Sequence, residues 1–322
     1  MVEFAQQLVN GLTLGSLYAL IAVGYTVVYG IIQLINFAHG EIFMIGAFGA
    51  LSTWLVFFNG NTSVWVLPIM IIGAIASSVI VAVLMERVAY RPLRSAPRLA
   101  PLITAIGISV FLQELVRLGY NNPLLFLSTW NPFDFPSAKQ KVPFPQIDVV
   151  TGAAFNVGGV VIQRSTIFTI GALIICAAGL FYFVSRTRTG RAMQAVSQDP
   201  DTARLMGINV DRIIIVAFVI GATLAAVAGV AQGLQITNIN FKMGFLAGLK
   251  AFTAAVLGGI GNVWGAVLGG LTLGLVESMA VQFIPGTFGG SPWKDVWAFA
   301  ILILVLVFRP QGLLGAKVVD RA

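Results

Sequence analysis

Asn36, His39 and Glu41 bring a carboxamide, an imidazole and a carboxylate together in the phrase Ile35-Asn36-Phe37-Ala38-His39-Gly40-Glu41. Glu41 is the only formal charge between Phe4 and Met85, and His39 is the only histidine in the chain. Polar groups in a long apolar stretch persist where they face water, a partner or a substrate path. Three chemistries fit the cluster: a proton relay, polar contacts along a translocation path, or stabilisation of a broken helix. Glu41 follows Gly40 at the start of an apolar segment, where a helix N-terminus favours an anion. Further along, Glu114, Lys250 and Glu277 also interrupt apolar runs, and Asn262 closes the glycine-rich phrase Gly258-Gly259-Ile260-Gly261-Asn262. Glu277 has no basic neighbour in sequence, so it is protonated or paired with a distant group. Asn36, His39, Glu41, Asn262 and Glu277 are therefore the translocation-path candidates.

The elements that must position these residues are membrane helices. The chain is 58% hydrophobic and only 10% charged, against roughly 25% charged in soluble domains. Its mean hydropathy is +0.92. The apolar runs are continuous rather than alternating, which argues against an outer-membrane barrel. The expected fold class is all-α, a polytopic helical membrane protein. A spanning helix needs about 20 apolar residues. Nine spans are expected near 8–30, 40–58, 64–85, 99–118, 166–185, 212–234, 245–261, 264–284 and 294–309. The seventh and eighth are the weakest, because the glycine phrase interrupts them and Lys250 lies in the seventh; a re-entrant segment fits there.

The net charge is +7. In a soluble protein that balance would point to nucleic acid; here the basic residues gather in loops, so no nucleic-acid partner is implied. Arg87, Arg91, Arg94 and Arg98 follow the third span. Arg186, Arg188, Arg191, Arg204 and Arg212 follow the fifth. Arg309, Lys317 and Arg321 close the chain. With nine spans these twelve of the nineteen basic residues share one side, the cytoplasmic one. The N-terminus is then external and the C-terminus cytoplasmic. The first residues lack a basic n-region, so the first run is expected to stay as a helix rather than be cleaved.

Small residues recur every fourth position: Gly11, Gly15 and Ala19; Gly221, Ala225, Gly229 and Gly233; Gly261, Gly265 and Gly269. Such faces let helices approach closely. Phe37-Ala38-His39-Gly40 after the first span is matched by Phe245-Leu246-Ala247-Gly248 after the sixth. With opposite span directions this makes the halves an inverted repeat, as in many transporters.

Two loops are large. The 186–212 loop carries helix punctuation: Asp199 as cap, Pro200 at the first position and Asp201 in the first turn, then Arg204 and a stop at Gly207. The preceding stretch from Gly190 to Gln198 mixes Arg191 and Gln194 with Met193 and Val196. Two short helices on the cytoplasmic face are expected, acting either as a connector or as a docking element for a partner. Arg191, Gln194, Asp199, Asp201, Arg204 and Gly207 are the docking candidates. The 119–165 loop, with Pro123, Trp130, Pro132, Pro136, Pro143 and Pro145, is too long to be structureless. Within it Phe155 to Ile162 reads as a hairpin around Gly158-Gly159.

Several chemistries are excluded. The chain has no G-x-x-x-x-G-K-[ST] loop for ATP phosphates. A single histidine and a single cysteine, Cys176, allow no histidine cluster and no disulfide framework. No Ser-His-Asp arrangement is credible. No cofactor and no enzymatic activity are expected, and ATP-driven transport would need another chain.

Four phrases carry a resemblance to a known family: Ile35 to Glu41; Gly190-Arg191-Ala192 through Gly207-Ile208-Asn209; Gly248 to Asn262; and Phe308-Arg309-Pro310-Gln311-Gly312-Leu313-Leu314-Gly315. The chain resembles the permease subunits of ATP-binding-cassette importers for branched-chain amino acids, along nearly its whole length. It is closer to their H-type than to their longer M-type subunit. The resemblance implies one permease domain over 1–322, pairing in the bilayer with a second permease subunit. It also implies two cytoplasmic ATP-binding subunits docked near 190–209, an external substrate-binding protein and an inner-membrane location. The external loop is longer than is usual in the family, so binding-protein contacts do not carry over. Permeases for urea, short amides and other amino acids are similar, and they form the first alternative. An ion-driven secondary transporter, with Glu41, Glu114 or Glu277 as proton carrier, is the second.

Overall fold

The computed structural model describes residues 1–34, 36–58, 60–94, 96–97, 99–120, 135–309 and 311–315. Ile35, Arg98, Pro123, Trp130, Pro132, Pro310, Lys317 and Arg321 lie outside the described residues.

Continuous apolar sequence becomes helix because a helix satisfies its own backbone where no water can. The helices in chain order are α1 (Val2–Ile32), α2 (His39–Phe57), α3 (Val66–Met85), α4 (Leu99–Gly119), α5 (Arg164–Arg186), α6 (Arg188–Gln198), α7 (Pro200–Leu205), α8 (Val210–Ile236), α9 (Met243–Gly258), α10 (Val263–Phe283) and α11 (Lys294–Phe308). Among the described residues, eight segments are long and apolar enough to cross a membrane, and α9 is a shorter apolar helix. At 16 residues it extends about 24 Å, short of a roughly 30 Å hydrocarbon core. The expected seventh span is thus a short helix.

The small-residue rows are contact faces. A Cβ on Gly15 would lie 2.8 Å from Leu271 Cα, and one on Gly11 would lie 2.8 Å from Leu275 Cα, so α1 and α10 run antiparallel in backbone contact. A Cβ on Gly46 would lie 2.6 Å from Ala226 Cα, where α2 crosses α8. Gly265 and Gly269 bring α10 against α9, whereas Gly261, with φ +94°, serves the turn between them. Only residues without a side chain permit such approaches, and van der Waals contact at this range drives helix association in lipid.

The connectors after α1 and α8 match in geometry, in a different register from the expected one. α1 ends on Gln33 at φ 54° and α8 ends on Thr237 at φ 62°; these are the two non-glycine residues with positive φ among the described residues. Each is followed by a five-residue connector, 34–38 and 238–242. The new helix is then started by a turn, His39 N–H to the Asn36 carbonyl at 3.0 Å and Met243 N–H to the Asn240 carbonyl at 3.2 Å. Asn36-Phe37 thus corresponds to Asn240-Phe241, and Gly40 to Gly244. The Phe37–Phe245 match is corrected by one helical turn, because Phe245 lies inside α9 whereas Phe37 lies in the connector.

The described part of the 119–165 loop is folded. Ala153–Val157 pairs antiparallel with Val160–Gln163, with Gly158 and Gly159 at φ +60° and +90° in the two-residue turn. Val142–Pro143 pairs with Asn238–Ile239, and the Phe144 N–H reaches the Thr237 carbonyl at 2.9 Å. Phe144 covers Gly233, which has no Cβ to hold it off. The loop is therefore tied to the end of α8.

Candidate functional site

Each residue of the Asn36–Glu41 phrase meets a different neighbour. Asn36 accepts the Tyr90 hydroxyl at 2.7 Å on Oδ1, while its Nδ2 has no hydrogen-bond partner among the described residues. His39 is the first residue of α2 and is buried. Its ring meets Tyr25 edge-on, with centroids 4.6 Å apart. A Cβ on Gly24 would lie 2.6 Å from His39 Nε2, and one on Gly221 would lie 3.2 Å from Cε1. The imidazole therefore fills the notch where α1 crosses α8, and Nε2 has no hydrogen-bond partner among the described residues. Tyr25, Asn36 and His39, with Phe252 and Ile260, line a small cavity of about 10 Å³.

Glu41 is fully buried. Its Oε1 accepts from Ser109 Oγ and Gln113 Nε2, both at 2.8 Å, which joins α2 to α4. Its Oε2 covers Gly244 in the first turn of α9, where a Cβ would collide with it. The first turns of α2 and α9 meet here. Two helix N-termini present partial positive charge, and the Glu41 carboxyl lies against both.

Asn262 caps α10, accepting from Trp264 N–H at 3.0 Å and Gly265 N–H at 3.2 Å. Its amide donates to the Leu314 carbonyl at 2.9 Å. Leu313 and Leu314 N–H groups reach the carbonyls of Leu257 and Gly258 at 2.8 and 2.9 Å, so the Gln311–Gly315 segment is laced to the α9–α10 turn. Asn262, Leu314, Tyr29, Gln33 and Ser197 line an open vestibule of about 770 Å³. Tyr29 and Ile260 border both spaces.

Glu277 lies apart from both. Lys250 Nζ is 2.8 Å from Glu277 Oε1, 2.6 Å from Asp295 Oδ1 and 3.1 Å from the Tyr18 hydroxyl. Tyr18 in turn donates to Glu277 Oε2 at 2.9 Å. A buried charge persists only when paired and hydrogen-bonded, and this network joins α1, α9, α10 and α11. Glu114 pairs with Arg117 on the next turn of α4, half-exposed.

The docking candidates lie on α6 and α7. Thr187 caps α6 by accepting the Gly190 N–H at 2.9 Å, and Gly190 is in backbone contact with α5. Met193 and Val196 are buried, whereas Arg191 and Gln194 are exposed. Asp199 caps α7, accepting from the N–H groups of Asp201 and Thr202 at 3.0 Å each. Hydrogen bonds from the Thr202 hydroxyl and backbone hold its carboxyl below the usual range. Arg204 pairs with Asp201 at 2.8 Å, and Gly207 has φ +81°.

Sequence reasoning missed several groups. Leu205 and Met206 are 88% and 79% exposed at the tip of α7; an apolar pair inside a charged loop was the available signal. Arg94 bonds both Glu86 and Asp211, and Arg91 reaches Asp211 at 3.0 Å. Glu86, directly after an apolar run and eight residues before Arg94, marked that cluster. Tyr18, Tyr90 and Asp295 carried no local signal, because their partners are distant in sequence.

Residues 7–306 match the family described as branched-chain amino acid transport system / permease component. The chain is 48% identical to the high-affinity branched-chain amino acid transport system permease protein BraD of Pseudomonas aeruginosa, over 99% of this chain and 98% of that protein. It is 42% identical to LivH of Escherichia coli K12, with the same description, over 99% and 97% of the two chains. Among solved structures, a metal-chelate type ABC transporter in an inward-facing conformation aligns over 96% of this chain and 89% of that one, at 16% identity and a TM-score of 0.51. That likeness concerns the fold. The chain is a multi-pass membrane protein and belongs to the family of branched-chain amino acid transport system permease components.

Proposed function

We propose that the chain is a single-domain permease subunit of an ATP-driven importer, passing branched-chain amino acids that an external binding protein delivers. Family membership over nearly the whole length carries this reading. A second permease subunit completes the membrane unit, and two ATPase subunits supply the energy. The basic residues Arg87, Arg91, Arg94, Arg186, Arg188, Arg191, Arg204 and Arg212 favour a cytoplasmic position for α6–α7. The N-terminus is then external and the C-terminus cytoplasmic.

The docking surface is the exposed side of α6–α7. Arg191 and Gln194 flank it, and Asp199, Asp201, Arg204 and Gly207 hold α7 in shape. Leu205 and Met206 form its apolar tip, as recognition in a groove requires. On the translocation side, Asn36, His39 and Asn262 border the cavity and vestibule. Glu41 and Glu277 support the helices around them.

Uptake by the full transporter in proteoliposomes tests this, with leucine, isoleucine and valine against urea as a panel. Preferential ATP-dependent uptake of the branched-chain substrates is expected; preferential urea uptake would reassign the substrate within the family.

A further inference from the structure

We infer that the turn of π-helix at Glu86–Tyr90 is a positioning element that links the docking segment to the α1–α2 connector, with Arg94 and Tyr90 as its two attachments. The inference rests on the docking role proposed for α6–α7.

The turn continues α3 and is closed by the Arg91 N–H returning to the Glu86 carbonyl. Single π turns inside α-helices are frequent at functional sites. One end of this turn is tied to the start of α8. Glu86 is buried and bonded by Arg94, whose guanidinium also bonds Asp211; Arg91 adds a contact to Asp211 at 3.0 Å. Asp211 lies in the first turn of α8, two residues beyond its cap Asn209. Only residues 206–209 separate that helix from α7, and the Ile208 N–H bonds the Ala203 carbonyl at 3.0 Å. A displacement of α7 is therefore passed directly to Asp211.

The other end is tied to the connector. Tyr90 donates to Asn36 Oδ1 at 2.7 Å, and its ring lies against Phe218 with centroids 5.7 Å apart. Asn36 borders the small cavity beside His39. The energetics favour transmission over slack. A buried carboxylate is costly unless paired, and Glu86 shares Arg94 with a half-exposed Asp211. Moving Asp211 pulls on the ion that Glu86 needs, so the turn must follow. The one five-residue turn carries both a charged clamp facing the docking loop, at Glu86, and a hydrogen bond facing the connector, at Tyr90.

The test uses the full transporter with its binding protein, in proteoliposomes, and reads uptake per ATP hydrolysed alongside assembly and basal hydrolysis. Tyr90→Phe keeps the ring and removes one attachment; Asp211→Asn weakens the other. Each is expected to keep assembly and hydrolysis while lowering uptake per ATP roughly threefold to tenfold, within the range by which single mutations modulate coupling. The double variant is expected to be no worse than the weaker single, because both cut one linkage. If Asp211→Asn fails to assemble, Arg94→Lys takes its place, since it keeps the charge and loses the two-armed guanidinium. Unchanged uptake per ATP in Tyr90→Phe, or effects that multiply in the double variant, would overturn the inference. The docking role fails separately: Leu205→Asp would then retain the ATPase and full coupling.

Discussion

Gly40 and Gly244 meet backbone to backbone: a Cβ on Gly244 would lie 2.7 Å from the Gly40 carbonyl oxygen, and a Cβ on Gly40 would strike the Gly244 carbonyl. Each is the second residue of its helix, so the contact joins equivalent points of the repeat. Alanine in a helix is normally more stable than glycine by about 1 kcal/mol. Here the clash outweighs that gain, and overpacking costs about 1–3 kcal/mol. Gly40→Ala should lower the thermal midpoint in detergent. Gly107→Ala on α4, where a Cβ meets open space, should raise it or leave it unchanged.

Lys250 sits between two carboxylates, and removing it leaves Glu277 unpaired inside the bundle. Lys250→Met should cost about 3–5 kcal/mol, the usual effect of stranding a buried partner. Lys250→Met combined with Glu277→Leu should recover most of the loss. Thermal unfolding of the three proteins reads this directly, and an unstable double variant would argue against pairing as the role of Glu277.

The cap at Asp199 makes α7 sensitive to acid. The folded carboxyl titrates below its ordinary value of 3.8 because Thr202 bonds the charged form. The cap's contribution is therefore complete above about pH 4, and it is lost as pH falls through the depressed value. Amide exchange of residues 201–206 should quicken in Asp199→Ala at neutral pH. In the parent chain it should quicken only below pH 4.

Leu205 and Met206 leave apolar surface at the tip of the proposed docking segment. Leu205→Asp with Met206→Asp should abolish co-purification of the ATPase subunits while leaving the thermal midpoint near that of the parent chain, because neither side chain is packed. Retained ATPase would remove the tip from the docking surface.

The span pattern, the α6–α7 boundaries and the hairpin around Gly158-Gly159 were legible in the sequence because each depends on local signals: hydropathy, a capping aspartate, a glycine pair. The likeness of the two connectors was legible but misregistered. Phe-x-x-Gly occurs at two spacings, and the left-handed termini at Gln33 and Thr237 that fix the register carry no residue preference strong enough to read. The polar cluster was visible as a cluster, yet its division was not. Asn36 goes to Tyr90, Glu41 to Ser109 and Gln113, and Glu277 to Lys250 and Tyr18. Those partners come from other helices, and only packing selects them.

On the function proposed above, this permease moves substrate only as part of an ATP-driven assembly. Labelled leucine uptake into proteoliposomes measures it most directly. Accumulation is expected when the partner permease, the ATPase subunits, internal ATP and external binding protein are all present, and none from the chain alone under a proton gradient. Concentrative uptake by the chain alone, driven by that gradient, would contradict it.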